Sequence, residues 1–357
     1  MEPTRYLAAS LRSFAADAFE SLGVPVVDAA LWADTLVRSD LRGHASHGIF
    51  RLPWYVRRLQ RGVMQPRTRL ETVRDTAAVM LLDAHDGVGQ VAANAAMDLA
   101  IERARTFGVA AVSVRRSNHF GAAMYFTLKA AHAGLIGMIT TNASPAMAPW
   151  GGRQALIGNN PWSIAAPAGR HAPLILDIAN TMVARGKIYT ARQEGRTIPT
   201  GWAIDQDGSP TSDPAAALAG LILPIGGHKG YAISFMMDVL SGILSGSEFA
   251  SGVAGPYQAE RKSGCGHMVI VLNIEAFIGL DEFTARVEQL IDEVKAAPLA
   301  PGYDEIFYPG ELEARAEAAN LRDGLVLPDA TVAELTTLAD EIGISHPFAG
   351  WLELPYE

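Results

Sequence analysis

The sequence predicts a mixed α/β protein with more than one lobe, and three observations carry that prediction. Apolar residues recur at helical spacing near both ends of the chain, at Leu7, Leu11, Phe14, Ala18 and Leu22, and again at Val332, Leu335, Leu338 and Ile342. Between those ends, short apolar runs such as Val109–Val114 and Gly134–Thr141 alternate with helical stretches. The 357 residues, 49% hydrophobic and 19% charged, are enough for two or three lobes around more than one core.

The elements follow in order. Gly23 and Pro25 end a first helix over 4–22. Asp28 is placed to cap a second helix, which runs to Asp40 and is interrupted by Gly43 and Gly48. Ile49, Leu52, Val56 and Leu59 predict a third, ending near Gly62, with Arg51 on its first turn. Thr76–Asp83 reads as a strand. It is followed by Gly87-x-Gly89-x-x-Ala92 and a helix to about Thr106. Strand, turn and helix together imitate a dinucleotide-binding turn. The next strand, Val109–Val114, ends in Arg115-Arg116 rather than in an acidic residue that would hold a ribose. Either the arginines clamp an NADP phosphate, or the two glycines simply turn the chain and start a packed helix.

Ser117–Tyr125 follows that strand as a loop of small residues around His119, open to a close ligand approach. A helix to His132 and a strand over Gly134–Thr141 come next. Thr141–Gly152 and Gly158–Pro161 read as packed irregular loops, and Trp162–Pro167 and Leu174–Ile178 as strands, the latter carrying Asp177. Arg185-Gly186-Lys187 lies on or near a helix, and turns follow at Ile198–Trp202 and Asp205–Ser209. The second turn lacks the glutamate that would complete a calcium loop. Pro224–Gly230 opens a helix over 231–244, where backbone amides and Lys229 suit a phosphate. Gly266–Asn273 reads as a strand and 281–297 as an amphipathic helix. A turn at Tyr308–Glu311 starts another helix, and Asp329–Ile342 forms the last.

Bulk properties narrow the function. Lys and Arg number 29 against 38 Asp and Glu, a net charge of −9, with no basic patch for nucleic acid. The single Cys265 excludes an internal disulfide framework and a multi-cysteine metal site. No basic segment followed by an apolar core opens the chain, and the most apolar run, Tyr231–Leu244, carries Asp238 and falls short of a bilayer's roughly 20 residues. A soluble cytoplasmic protein without nucleic-acid or membrane partners is the expectation.

The chemistry gathers in Arg38–Arg51. This stretch holds Arg38, Asp40, Arg42, His44, Ser46, His47 and Arg51 around Gly43 and Gly48. Ser46-His47 followed by Arg51 supplies a hydroxyl, a group titrating near neutrality and a fixed cation. A substrate with a carboxylate beside a carbonyl needs these three.

Arg38-x-Asp40-x-x-Gly43-His44-x-Ser46-His47-Gly48-x-x-Arg51 resembles the signature of the type-2 malate/L-lactate dehydrogenase family. Six further motifs resemble it in the same order along the chain. They are Ser117–Gly121, Pro149–Gly152 with Asn160-Pro161, Ala184–Lys187, Ile198–Trp202, Gly226–Gly230 and Pro309–Glu311. The resemblance implies NAD- or NADP-dependent interconversion of small 2-oxo and 2-hydroxy carboxylates, or in one branch reduction of cyclic imino acids. It implies a cofactor domain on a mostly antiparallel mixed sheet, not the Rossmann arrangement. A helical lobe is built from both termini (1–75 with 300–357) and carries the catalytic stretch and dimer contacts. Residues 76–299 then form the cofactor- and substrate-binding α/β region, as one or two subdomains. The implied assembly is a homodimer with the active site near the subunit interface.

Carried over position by position, His47 becomes the proton donor, oriented by Ser46, with Lys187 near the pair. Arg51 holds the carboxylate, with His44 and Asn159 beside the substrate. The cofactor falls to His119, Phe120, Gly121, Ala122 and Ala123, to Asp177, Ile178 and Ala179, to His228 and Lys229, and to Pro309, Gly310 and Glu311. No metal is required. Two departures stand out: Asn159 replaces a common threonine, and Ala232 a common glycine. The first leaves the substrate open and the second touches only helix packing. Two rivals are weaker. A metal hydrolase using His44, His47, His119 or His228 lacks an H-E-x-x-H or a carboxylate at ligand spacing. A non-catalytic nicotinamide-binding protein would not need Ser46, His47 and Arg51 together.

Overall fold

The computed structural model describes residues 4–348, so both ends of the expected 1–75 with 300–357 lobe extend beyond the described residues. Seven strands form the central sheet: β1 (Glu71–Thr76), β2 (Val79–Asp83), β3 (Val109–Ser117), β4 (Leu135–Thr141), β5 (Trp162–Ala166), β6 (Leu174–Ile178) and β7 (Cys265–Asn273). Their spatial order is β1-β2-β3-β7-β4-β5-β6. β2 and β3 are parallel, and every other neighbouring pair is antiparallel. The sheet is therefore mixed and mostly antiparallel.

Eleven α-helices surround it among the described residues: α1 (Ala8–Glu20), α2 (Val26–Leu41), α3 (Leu52–Gln60), α4 (Gly89–Phe107), α5 (Met124–His132), α6 (Arg185–Gln193), α7 (Pro214–Ala219), α8 (His228–Asp238), α9 (Leu280–Lys295), α10 (Glu311–Asp323) and α11 (Asp329–Ile342). α4 and α5 lie on the sheet through small side chains. Ala93, Ala96 and Ala100 meet a wall that includes Val112, Val114, Val269 and Ile139. Alanines at this spacing let helix and strands approach closely and still exclude water.

A second core joins the two ends of the chain. Leu11, Phe14 and Phe19 of α1, Trp32 and Leu36 of α2 and Tyr55 of α3 pack with Leu335 and Leu338 of α11. Phe19 stacks on Trp32 with centroids 3.7 Å apart, and Tyr55 meets Trp32 edge-on at 5.1 Å. Arg5–Tyr6 also pairs antiparallel with Leu325–Val326. A third, smaller core gathers Val183, Ile188 and Ala191 around α6 with Ile198, Ala203, Ala217 and Ile222.

Several boundaries differ from the sequence reading, each for a physical reason. The first helix starts at Ala8, because Arg5-Tyr6 is drawn into strand pairing. Pro25 occupies the N-cap of α2, and Asp28 instead lies in the first turn, where its charge suits the helix dipole. β1 went unread because Glu71–Thr76 is an exposed edge strand with almost no apolar residues to mark it. It pairs with β2 across a turn in which Ala77 adopts φ +59°. The helix expected over 231–244 begins at His228 and widens into a π-helical turn over Val239–Ile243. There a Cβ on Gly266 would lie 1.8 Å from the Ser241 carbonyl oxygen, so helix and β7 touch backbone to backbone.

The glycine-rich turn at Gly87–Ala92 does connect parallel strands through a helix, as a dinucleotide-binding unit would. The space before α4 is filled by the protein itself. A Cβ on Gly89 would sit 2.2 Å from the Asn118 carbonyl oxygen and 2.6 Å from that of His119. Asn118 Nδ2 donates to the carbonyls of Asp86 and Gly87 at 2.9 and 2.8 Å. Arg115 and Arg116 are both tied to the buried Asp83 carboxylate, at 2.8 and 2.6 Å, rather than standing ready for a phosphate. Burial would raise the pKa of that carboxylate, but Arg116, the His85 N–H at 2.9 Å and Arg115 hold it down at about 2.

Candidate active site

The stretch expected to be catalytic is a pair of 3₁₀ turns between two helices of the helical lobe. α2 ends at Leu41, and Gly43 turns the chain with φ +78°. The turns Ala45–His47 and Ile49–Arg51 follow, joined by Gly48, and lead into α3. Asp40 locks the turns together: its Oδ2 accepts the Ile49 N–H at 2.7 Å. A Cβ on Gly48 would fall 1.7 Å from Asp40 Oδ1, so the carboxylate lies directly over that glycine. Burial pushes Asp40 up to about pKa 7, in spite of the bond from Ile49. Arg51 therefore precedes α3 on a 3₁₀ turn instead of standing on the helix's first turn.

The three arginines of the stretch separate. Arg38 and Arg42 both pair with Glu317 on α10, at 3.0 and 2.6 Å, and fasten α10 to α2. Arg51 alone stays with the histidines. Its Nε donates to the Ser46 carbonyl at 2.5 Å, and its guanidinium lies over Trp54 at 4.9 Å and Phe50 at 5.4 Å. Among the described residues its two Nη atoms make no hydrogen bond, so the fork is free to take a carboxylate.

Ser46 Oγ and His47 Nδ1 are 2.9 Å apart, which leaves Nε2 as the working end of the ring. His47 stacks nearly parallel on His119, with centroids 5.6 Å apart. His119 Nδ1 accepts from Tyr55 Oη at 2.7 Å and from the Gly121 N–H at 3.2 Å. Gln90 Nε2 in turn donates to Tyr55 Oη at 3.3 Å. Both histidines have pKa values lowered well below the usual range, first by burial and then by the Arg51 charge. His44 adds to that effect on His47.

His119, expected among the cofactor contacts, thus stands beside His47, while Phe120 turns into the core against Phe126 and His267. Gly121 adopts φ +85°, and Ala122 and Ala123 are buried at the start of α5. Asp177 accepts the Met124 N–H at 2.7 Å and so closes the N-terminus of α5. Burial raises its pKa against the opposing His44 charge and Met124 N–H. Ile178 ends β6, and Ala179 follows it half-buried. The Asn159 carbonyl accepts from Asn180, through its N–H at 3.0 Å and its side-chain amide at 3.2 Å. Lys187 is exposed on the first turn of α6, and among the described residues no hydrogen bond joins it to the Ser46–His47 pair. Pro309–Glu311 clasps the sheet edge: Ile175 N–H donates to the Pro309 carbonyl at 3.0 Å. Burial would raise the Glu311 pKa, but Lys295 at 2.8 Å, the Tyr308 N–H and Arg315 at 2.6 Å more than offset this.

One helix N-terminus suits a cofactor phosphate. α8 starts after Gly226 and Gly227, at φ +59° and +65°, with no side-chain cap and with His228 and Lys229 exposed. The Trp150 ring meets His228 at 5.9 Å. By contrast α5 is capped by Asp177, and α4 abuts its own chain at Asn118.

Sequence reading missed Tyr55, Gln90 and Arg58. Arg58 is buried and donates to Asn118 Oδ1 at 3.0 Å and to the Gln258 carbonyl at 2.5 Å, anchoring the loop at 254–258 to α3. Tyr55 lies one helical turn past Arg51, and that spacing was the signal available for it. His267 resembles a ligand but is a satisfied core residue between Thr141 Oγ1 (2.9 Å) and Ser117 Oγ (2.8 Å), its pKa forced down to about 3 by burial. No group of three or more metal-ligating side chains occurs among the described residues, and no helix among them is long and apolar enough to cross a membrane.

A guanidinium fork beside two facing imidazoles would suit a carboxylate next to a group gaining or losing a proton, as in the substrates of hydroxy-acid dehydrogenases. The family model described as malate/L-lactate dehydrogenase matches residues 7–336. This chain belongs to that family. An L-sulfolactate dehydrogenase of Methanocaldococcus jannaschii is 39% identical over 92% of this chain and 94% of its own. The solved sulfolactate dehydrogenase structure from that organism matches with a TM-score of 0.91 over 96% of this chain and 98% of its own. A malate dehydrogenase of Pyrococcus horikoshii is 37% identical over 94% of each chain. A solved delta1-piperideine-2-carboxylate reductase of Pseudomonas syringae is 30% identical, with a TM-score of 0.83 over 94% of this chain and all of its own.

Proposed function

We propose that the protein interconverts a small 2-oxo carboxylate and its 2-hydroxy acid with NAD or NADP, using His47 as the proton donor and acceptor. The observation that carries this reading is the free Arg51 fork beside the His47–His119 pair. Arg51 takes the carboxylate through two parallel hydrogen bonds, which turns the adjacent carbonyl towards the imidazoles. The redox step itself belongs to the nicotinamide when bound. The chain supplies its phosphate site at the start of α8, from backbone amides and Lys229.

The two histidines divide the work. A proton on His119 Nδ1 would lose the bond from Tyr55 and turn an N–H against the N–H of Gly121. His47 faces a serine hydroxyl, which accepts from a protonated Nδ1 and donates to a bare one. His47 is therefore the ring free to cycle its proton. Cyclic imino acid reduction is the second reading, supported by the likeness to the piperideine-2-carboxylate reductase structure. Loss of near-ultraviolet absorbance from NADH and from NADPH, each against separate 2-oxo acids and cyclic imino acids, selects between the readings and the cofactors. Reduced cofactor that binds without oxidation by any of them would overturn both.

The same reading includes a homodimer. Its support is the apolar surface of α8 and the following π turn, where Ile233, Phe235, Met236, Ile243 and Leu244 are all exposed. This face is a candidate surface for a second copy beside the helical lobe, which also exposes Val26 and Val27. A Phe235→Glu variant should shift the light-scattering mass of the wild-type dimer to that of a monomer. A monomeric wild type at micromolar concentration would dispose of the proposal.

A further inference from the structure

The glycine-rich turn that imitates a dinucleotide site leaves one residue unexplained. Gln90 is fully buried, and its Oε1 has no partner among the described residues although its Nε2 bonds Tyr55. A buried orphan oxygen is costly, so something must fix the amide in this orientation.

The hydrogen-bond inventory fixes it. A backbone N–H is always a donor, so the Gly121 N–H at 3.2 Å requires a lone pair on His119 Nδ1. The 2.7 Å contact from Tyr55 Oη to the same nitrogen then requires the tyrosine to give its only proton there. Tyr55 oxygen is left as an acceptor, and only the nitrogen of the Gln90 amide can face it. Turning the amide over would set two acceptors against each other. Burial keeps Tyr55 protonated by pushing its pKa up to about 12.

We propose that Gln90 and Tyr55 are positioning residues which hold His119 as a neutral ring with its proton on Nε2, a permanent hydrogen-bond donor to the substrate's reacting oxygen beside the titrating His47. The role of the glycine turn follows. Gly89 lets α4 abut the Asn118–His119 backbone, and the next residue, Gln90, reaches Tyr55. The donor role rests on the oxo-acid reading above; the tautomer does not.

Arg51 from the 3₁₀ turn before α3, Arg58 from α3, His47, and His267 and Cys265 from β7 are the charged or titratable groups that face Tyr55 and His119. All but Cys265 disfavour a second positive charge on His119.

The test reverses the chain. In Gln90→Glu, an ionised carboxylate accepts the Tyr55 proton, so the tyrosine oxygen presents a lone pair to Nδ1 at 2.7 Å and favours the other tautomer over the longer, 3.2 Å contact from the Gly121 N–H. Nitrogen-15 spectra of histidine-labelled protein should show a bare Nδ1 for His119 in the wild type across pH 6–9, and a protonated Nδ1 in Gln90→Glu at pH 8. The variant's kcat should fall by about tenfold at pH 8 and rise as the pH is lowered, because a protonated carboxyl donates as the amide does. Tyr55→Phe, which keeps the ring packing, should lose the single tautomer without the pH-dependent recovery. A wild-type His119 with a protonated Nδ1, or a Gln90→Glu variant with unchanged tautomer and unchanged kcat, overturns the proposal. The spectra need no substrate, so they decide the tautomer even if no oxo acid is reduced, a result that would remove the oxo-acid reading alone.

Discussion

Replacement of His47 by alanine should lower the rate of oxo-acid reduction by about 10²–10⁴-fold while affinity for the reduced cofactor stays within about twofold. The size follows from the chemistry. Charge builds on the substrate oxygen as its carbon is reduced, and a proton delivered in the transition state neutralises it. His47 is placed for this by Ser46 at 2.9 Å, and among the described residues its other nitrogen makes no hydrogen bond. Stopped-flow reduction separates the chemical step from release, and fluorescence of the reduced cofactor reads its binding. A His47→Ala enzyme reducing within about threefold of the wild-type rate would take the proton-donor role away from it.

Replacement of Arg51 by lysine should raise the KM for carboxylate substrates by about 10–100-fold, because an ammonium cannot reproduce the two parallel bonds of the fork. It should also change how binding responds to pH. In the free protein the pKa of His47 is lowered first by burial, then by the Arg51 and His44 charges. A carboxylate on Arg51 cancels one of those charges, so the His47 pKa is higher in the complex than in the free protein. Between the two values the complex holds the additional proton, and binding takes a proton up. Affinity for an unreactive analogue such as oxamate therefore strengthens as pH falls through the pKa of the complex, and levels off below that of the free protein. Titration calorimetry in buffers of different ionisation enthalpy counts that proton. Oxamate binding with no proton uptake at any pH from 8 down to the acid limit of the folded protein would separate Arg51 from His47, whose pKa is lowered well below its usual range.

The chemistry of the site was legible from spacing alone where it depends on neighbours in the chain. Ser46, His47 and Arg51 fall within six residues, so the turns that hold them also bring them together. The helices at both ends, β3, β4, β6 and β7 were legible for a related reason: each carries a periodic or continuous apolar run that must be buried. β1 left no such trace, because an edge strand facing water has no buried face to record.

The remaining features belong to the tertiary structure. In the sequence Arg38, Arg42 and Arg51 are three similar cations. Only the approach of α10, with Glu317, removes two of them from the site. Gly87-x-Gly89 carries the same letters whether a phosphate or the Asn118 carbonyl fills the space before α4, and here the chain's own backbone fills it. His119 and Gln90 sit far from His47 along the chain and meet it only through Tyr55 and the stacked rings. Sequence spacing specifies which groups a short segment can hold close to one another. Which of those groups remain free for a ligand depends on partners from distant segments, and those are set by packing.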